Sequence, residues 1–429
     1  MTRSTSLPIA ELAEKISADL GADAVSTDPV KLARASVDWA HMSPILKEKL
    51  PAGRADLLVT PRSAEQIPVA VKHAYDLGVP ITPRGTGLGN YGQAIPLHGG
   101  IVLDTSRCQR IVAVDEGTVT AEAGARMRDL DNELRRTGQE LPIFPSTKGS
   151  TLGGFLAGGS GGTGSLIYGT NADGFVRALD IVACDGSGEL RHVEGDATVP
   201  YIHAYGTTGI IARATVVVTP AYDWAGVFTA WDDFDSATGF LRSLGAVDPS
   251  PRLVSLDEAV IVGALPEDPA LDPNRLSVRA IVRTETVDEV RRLVADQGGE
   301  VLDVRADSER VSALSFNHST FHLQRKYPGI FHLEVAGEKL WSDPDAVRAV
   351  YPGTILHLEL MRTEVVGMLM ASYSSPEQVH DGMERLEAMG VSIHSPHTWI
   401  LERRIDRVRA VLEDNDPRGL LNPGKLPPS

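Results

Sequence analysis

Two glycine-rich runs constrain this chain more than anything else in it: ITPRGTGLGNYGQA at residues 81–94 and FPSTKGSTLGGFLAGGSGGTGSLIYGTNADG at 144–174. Glycine has no Cβ and accepts positive φ, so such runs let backbone N–H groups approach a bound phosphate closely. Each run holds a formal G-x-G-x-x-G, Gly87, Gly89 and Gly92 in the first and Gly159, Gly161 and Gly164 in the second. A doubly wound dinucleotide fold needs that motif between a strand and a helix, with the pyrophosphate on the helix N-terminus. The first run follows a strand-like Gly78-Val79-Pro80-Ile81-Thr82 but continues into Gln93-Ala94-Ile95-Pro96, and the second leads into Ser165-Leu166-Ile167-Tyr168-Gly169. Neither opens an amphipathic helix, so that fold is set aside. Two non-helical nests, far apart in the chain, point instead to one long diphosphate ligand held from both ends.

With 429 residues the chain is long enough for two or three domains. A formal net charge of −16 argues against nucleic acid or an anionic membrane as partner. No stretch approaches the roughly 18 unbroken apolar residues of a membrane span. Cys108 and Cys184 are the only cysteines, too few for a disulfide framework. Cys184 ends an apolar strand and reads as core, while Cys108, between Arg107 and Gln109, reads as surface. The N-terminal MTRSTSLPIAELAEKISADLGA reads as a capped amphipathic helix without a signal peptide's apolar centre, which favours a cytoplasmic protein.

Patterning places strand, helix and strand over 57–83, with Ser63 and Gln66 as a capping box and Gly78 as the helix stop. Strands are expected at 101–103, 111–114, 118–123, 180–184 and 210–218, and a helix at 127–137. Beyond Tyr222 the glycine signature ends. Leu276, Val278, Ala280 and Val282 alternate as in a half-buried strand, and a helix follows around Val287–Val294. Strands at 355–362 and 368–373, a helix at 376–389 and a last helix over 401–412 complete the pattern. Strand–helix–strand units of this kind suggest an antiparallel sheet with helices on one face.

These residues resemble a known family. Pro83-Arg84-Gly85-Thr86-Gly87 is similar to the PRGGG-type loop of vanillyl-alcohol oxidase/p-cresol methylhydroxylase (PCMH)-type FAD proteins. STLGGFLAGGSGG at 150–162 and YGTNADGFVRALDIVACDG at 168–186 resemble that family's second FAD segment. Gly206-Thr207-Thr208-Gly209-Ile210-Ile211 resembles its GTLGVIT strand, and Leu421-Asn422-Pro423-Gly424-Lys425 matches the C-terminal LNPGK of the branch containing glycolate oxidase and D-lactate dehydrogenase flavoproteins.

The resemblance implies an α+β protein: a two-subdomain PCMH-type FAD-binding domain at 52–222, an α+β cap at 223–395 reading the substrate, an N-terminal helical segment at 1–51, and a tail at 396–429 returning to the FAD. It implies FAD-dependent oxidation of a small alcohol or 2-hydroxy acid, with oxygen, a quinone or a carrier protein as electron acceptor. The alternative is a non-catalytic FAD-binding subunit of a multi-protein oxidase. Carried over by position, Arg84, Gly85, Thr86, Gly87 and Leu88 hold the pyrophosphate, and Ser146, Thr151, Gly153, Gly154 and Gly161 continue the cradle. Ile210 and Ile211 meet the adenosine half, and Asn422 and Lys425 reach the flavin ring. Leu88 stands where covalent members have a histidine, and FPSTKG has no cysteine, so the resemblance implies non-covalent FAD. The paired-histidine strand of metal-dependent members is absent, and Pro396 stands where their later triplet has glutamate, so no metal is expected.

That triplet's histidine falls on His397, expected as general base because imidazole titrates near neutral pH. His318, in the polar stretch Asn317-His318-Ser319-Thr320-Phe321-His322, is the second candidate, facing the flavin from the cap. His394 ranks below both. His357 and Glu359 share one face of a strand opposite Leu356, Leu358 and Leu360, lining the active-site roof or, more simply, forming its solvated side.

Overall fold

A computed structural model describes residues 8–428. The N-terminal helix spans Ile9–Leu20; the Ser and Thr residues expected to cap it lie outside the described residues. Among the described residues no helix is long and apolar enough to cross a membrane.

The first glycine run grows out of a four-stranded sheet in the order Val25–Ser26, Leu57–Val59, Ile101–Asp104, Ile81–Arg84, the last three mutually parallel. Helix Ile67–Leu77 crosses between two of these strands and stops at Gly78, whose φ of 65° suits the left-handed cap. The expected capping box is not made: Gln66 Oε1 accepts from Arg62 N–H at 2.7 Å and not from Ser63, and Ser63 caps nothing, because residues 64–66 tighten into a 3₁₀ turn first. A second, antiparallel sheet of five strands runs Ile111–Asp115, Thr118–Glu122, Ile210–Val217, Val176–Val182, Leu190–Glu194. Both cysteines are buried in the core these units share, Cys108 included, and burial pushes each thiol up to about 12. Cys108 is therefore core and not surface.

About a third of the second glycine run is helical, against expectation. Leu152–Gly158 forms a helix capped by Thr151, which accepts from Gly154 N–H at 3.2 Å. Leu152, Phe155 and Leu156 sit at helical spacing and bury into the core of the five-stranded sheet, and that burial outweighs glycine's poor helix propensity.

The third unit is an antiparallel sheet of eight strands, ordered Glu300–Arg305, Trp224–Trp231, Leu276–Arg283, Leu253–Asp257, Ile355–Leu360, Val365–Ser372, Ile330–Ala336, Ser392–His394. Helices Phe234–Gly245, Val287–Asp296 and Pro376–Ala388 pack on one face through Phe240, Val290, Val294, Val379 and Leu386. The other face also carries helices, the shorter Ala259–Val262, Glu309–Ala313 and Asn317–Lys326, through Ile261, Val311 and Leu323. Strand Leu276–Arg283 is consequently buried on both sides between its ends, not half-buried as its alternation suggests.

The C-terminal tail returns to the first sheet. Ile81 N–H donates to Leu420 O at 2.8 Å and Asn422 N–H to Ile81 O at 2.7 Å, extending that sheet beside the strand that feeds the first glycine run.

Candidate active site

One cleft of about 620 Å³ lies between the two glycine runs and the short-helix face of the large sheet. Its floor is Arg84, Gly85, Thr86, Gly87 and Leu88 with Ser146, Thr151, Gly153, Gly154 and Gly161, and its far end is Ile210 and Ile211. Residues far apart in sequence thus line one cleft. The wall has the form of a cradle. A Cβ on Gly153 would lie 2.7 Å from that of Ala123, and one on Gly85 would strike the Thr151 hydroxyl. Gly87 has φ of 69°, a conformation glycine adopts without strain. Such surfaces fit a pyrophosphate lying against bare backbone. Arg84 is partly committed elsewhere: its guanidinium donates to Val37 O at 2.6 Å and Ala35 O at 3.3 Å, tying the loop to the N-terminal segment.

Asn422 and Lys425 do not line the cleft. Asn422 Nδ2 donates to Gln93 O at 2.8 Å and Tyr205 O at 2.7 Å. Lys425 Nζ donates to Gly92 O at 2.5 Å, and the side chain is fully buried. The LNPGK tail therefore latches the back of the first glycine run and stays clear of the cleft. Burial pushes the Lys425 ammonium from 10.5 down to about 7. A lysine depressed in the folded state penalises folding wherever it must carry its charge. That penalty is absent above about pH 10.5, grows as pH falls to about 7, and is constant below. Lys425→Met should accordingly gain on the wild type in urea midpoint as pH drops through that window, on top of a fixed offset for the lost hydrogen bond. A difference that stays flat with pH would show Lys425 to be unperturbed.

His397 is not in the cleft either. Its Nδ1 is 2.7 Å from Ser43 Oγ, its ring packs 6.0 Å from Phe331 and 6.2 Å from His332, and burial pushes it down to about 3. It is a packed core histidine outside the cleft, which does not suit the general-base role expected of it. His394, on the edge strand Ser392–His394, borders the cleft. Its Nδ1 lies 2.8 Å from Glu334 Oε2. A carboxylate only accepts, so Nδ1 carries the proton and the Nε2 lone pair is left free. Glu334 also accepts from the Tyr91 hydroxyl and, at 3.3 Å, from Asn317 Nδ2. Burial opposes its ionisation, yet the hydrogen bonds from His394 and Tyr91 hold its carboxyl at about 2.

Around this pair stand His203, its Nδ1 3.1 Å from Gly159 O, and Tyr205, with ring centres 5.3 Å apart. Arg403 reaches the same cleft. His318 also lines the cleft, one residue into the helix Asn317–Lys326, and burial pushes its imidazole below the usual histidine range. Asn317 Oδ1, His318 Nε2 and His203 Nε2 are buried without a partner, three polar atoms left for a bound molecule to meet. Phe316, just before them, holds φ of 55° and ψ of −141°, a strain of about 1–3 kcal/mol for a non-glycine residue.

Tyr91, Tyr205, Glu334 and Arg403 were not singled out by the sequence, and His394 was ranked below His397 and His318. The signal for Glu334 was present: in Ile330–Ala336, His332 and Glu334 alternate with buried Phe331, Leu333 and Val335. His357 and Glu359 are not solvated; both are fully buried behind the cleft.

Residues 55–193 match the family described as FAD binding domain. The chain is 25% identical to glycolate oxidase subunit GlcD of Bacillus subtilis (strain 168), over 86% of this chain and 88% of that protein. It is 30% identical to a D-lactate dehydrogenase of Archaeoglobus fulgidus, over 38% of this chain and 39% of that one. A solved structure of alkyldihydroxyacetonephosphate synthase superposes with a TM-score of 0.77, at 18% identity, over 98% of this chain and 86% of that one, a likeness of fold.

Proposed function

We propose, on the premise that this chain is a PCMH-type FAD-binding flavoprotein, that it is an FAD-dependent oxidoreductase acting on the CH–OH group of a small 2-hydroxy acid or alcohol. The observation that carries this reading is the His394–Glu334 pair opening onto the cleft that the glycine runs line. FAD, when bound without a covalent link, supplies the acceptor for the hydride leaving the substrate carbon. His394 Nε2 takes the hydroxyl proton, while Glu334 fixes the tautomer and steadies the imidazolium that forms. Arg403 pairs with a substrate carboxylate, and Asn317 and His318 orient the oxidised carbon through their unpartnered atoms. Dipoles and donors fixed in advance are what such a site contributes to rate.

The B. subtilis relative is named as a subunit, which favours a second reading: a flavin carrier that turns over only with partner chains. An anaerobic titration separates the two. The purified protein should show a flavin band, and a 2-hydroxy acid should bleach it without added partners. A band bleached only once partner subunits are present would favour the carrier, and a colourless protein would remove the FAD assignment itself.

A further inference from the structure

We propose that the buried quartet Asp257, Arg279, His357 and Glu359 is a positioning device that holds the Phe316–His318 corner of the cleft in its working conformation. The four stand on three adjacent strands, Leu253–Asp257, Leu276–Arg283 and Ile355–Leu360, on the face turned toward the short helices, and none is more than 1% exposed. Arg279 meets Asp257 at 2.5 Å, and His357 bridges Asp257 at 2.6 Å and Glu359 at 3.0 Å. Burial works against a charge on His357, but Asp257 and Glu359 outweigh it and hold the imidazolium up at about 9.

The remaining bonds of the quartet and its serines converge on one segment. Glu359 Oε1 accepts from Phe316 N–H at 2.7 Å, and Arg279 donates to Leu314 O at 3.1 Å. The Ser319 hydroxyl lies 3.3 Å from Asp257 and 3.2 Å from His357, and Ser255 Oγ lies 3.0 Å from Ser315 Oγ. Leu314 to Ser319 is therefore gripped at four places, at the residue whose backbone is strained and on both sides of it. Strand pairing alone does not call for these charges, since apolar residues of similar volume often hold a core as well as a buried ion pair does. Apolar residues could not supply an acceptor for the Phe316 amide at that depth. The gripped corner places Asn317 against Glu334 and His318 in the cleft, so the quartet acts on the reacting region through them without touching it.

Only the catalytic consequence rests on the proposed reaction, so the test reads the corner directly. In the full-length flavoprotein, Glu359→Leu should speed amide hydrogen exchange at 314–319 by roughly threefold to tenfold while strand 276–283 stays protected. Glu359→Gln keeps an acceptor oxygen and should restore slow exchange. With an active substrate, Glu359→Leu should also lower kcat more than it alters KM. Unchanged exchange at 314–319, or exchange that rises equally across 276–283, overturns the proposal whatever the substrate is. If Glu359→Leu does not fold, Ser319→Ala removes only a hydroxyl and should give the same local change, smaller in size; its absence overturns the proposal equally.

Discussion

Replacing His394 by asparagine is expected to slow substrate-driven flavin reduction by roughly 10²- to 10⁴-fold, the range lost when a positioned general base is removed. The flavin band itself should remain, because the residues expected to cradle the pyrophosphate lie on the glycine runs and not on the strand Ser392–His394. The expectation rests on one nitrogen. Nδ1 is committed to Glu334, so Nε2 alone is free to take a proton, and asparagine has no basic lone pair to replace it. Glu334→Gln should do less harm than His394→Asn, because it loosens the imidazole without deleting it. Stopped-flow absorbance under anaerobic conditions reads both. His397→Asn is the matched control: its ring packs against Phe331 and His332 away from the cleft, so the change should lower the melting temperature and leave the reduction rate nearly intact. Should His397→Asn stop reduction while His394→Asn does not, the roles assigned to the two histidines must be exchanged.

That exchange of histidines shows what the sequence holds and what it does not. The glycine runs, the strand at Ile210–Val217 and the LNPGK tail are local strings, and local strings carry their own geometry: a loop rich in glycine exposes N–H groups wherever the fold sends it. The residues carried over to the pyrophosphate all line the cleft. His394 is different. Its role comes from pairing between Ser392–His394 and Ile330–Ala336, which sets His394 opposite Glu334 across sixty residues of chain. No spacing within either segment encodes that register. Glu334 was within reach, because a charged residue alternating with Phe331, Leu333 and Val335 marks a strand face that is not simply core. His357 and Glu359 show the converse failure. Their alternation with Leu356, Leu358 and Leu360 says only that they face away from one core, and short helices cover the other side too. The tail is a third case: LNPGK was expected to bring Asn422 and Lys425 to the flavin ring, yet their polar atoms hold the first glycine run from behind and do not line the cleft.

The cradle permits an equally direct test. Gly85 is where the two glycine runs meet, and a Cβ there would collide with the Thr151 hydroxyl. That hydroxyl is buried and caps helix Leu152–Gly158 through Gly154 N–H, so it has little room to yield. Gly85→Val must then either push the loops apart or break the cap, and in both cases the surface facing the pyrophosphate changes shape. Overpacking of this kind costs about 1–3 kcal/mol. Placed on the cofactor site, that is a loss of roughly 5- to 150-fold in FAD affinity. The variant should purify pale or colourless and recover its yellow band only with FAD added in excess, as fluorescence titration of the apoprotein would measure. Gly149 lies in the same second run, has no positive φ and has open space where its Cβ would go, so Gly149→Ala should bind FAD as the wild type does. If both variants bind FAD equally well, the close approach of the two runs at Gly85 has no part in holding the cofactor. If only Gly85→Val fails, and does so with its melting temperature near that of wild-type apoprotein, the two loops act as one cradle and not as two independent turns.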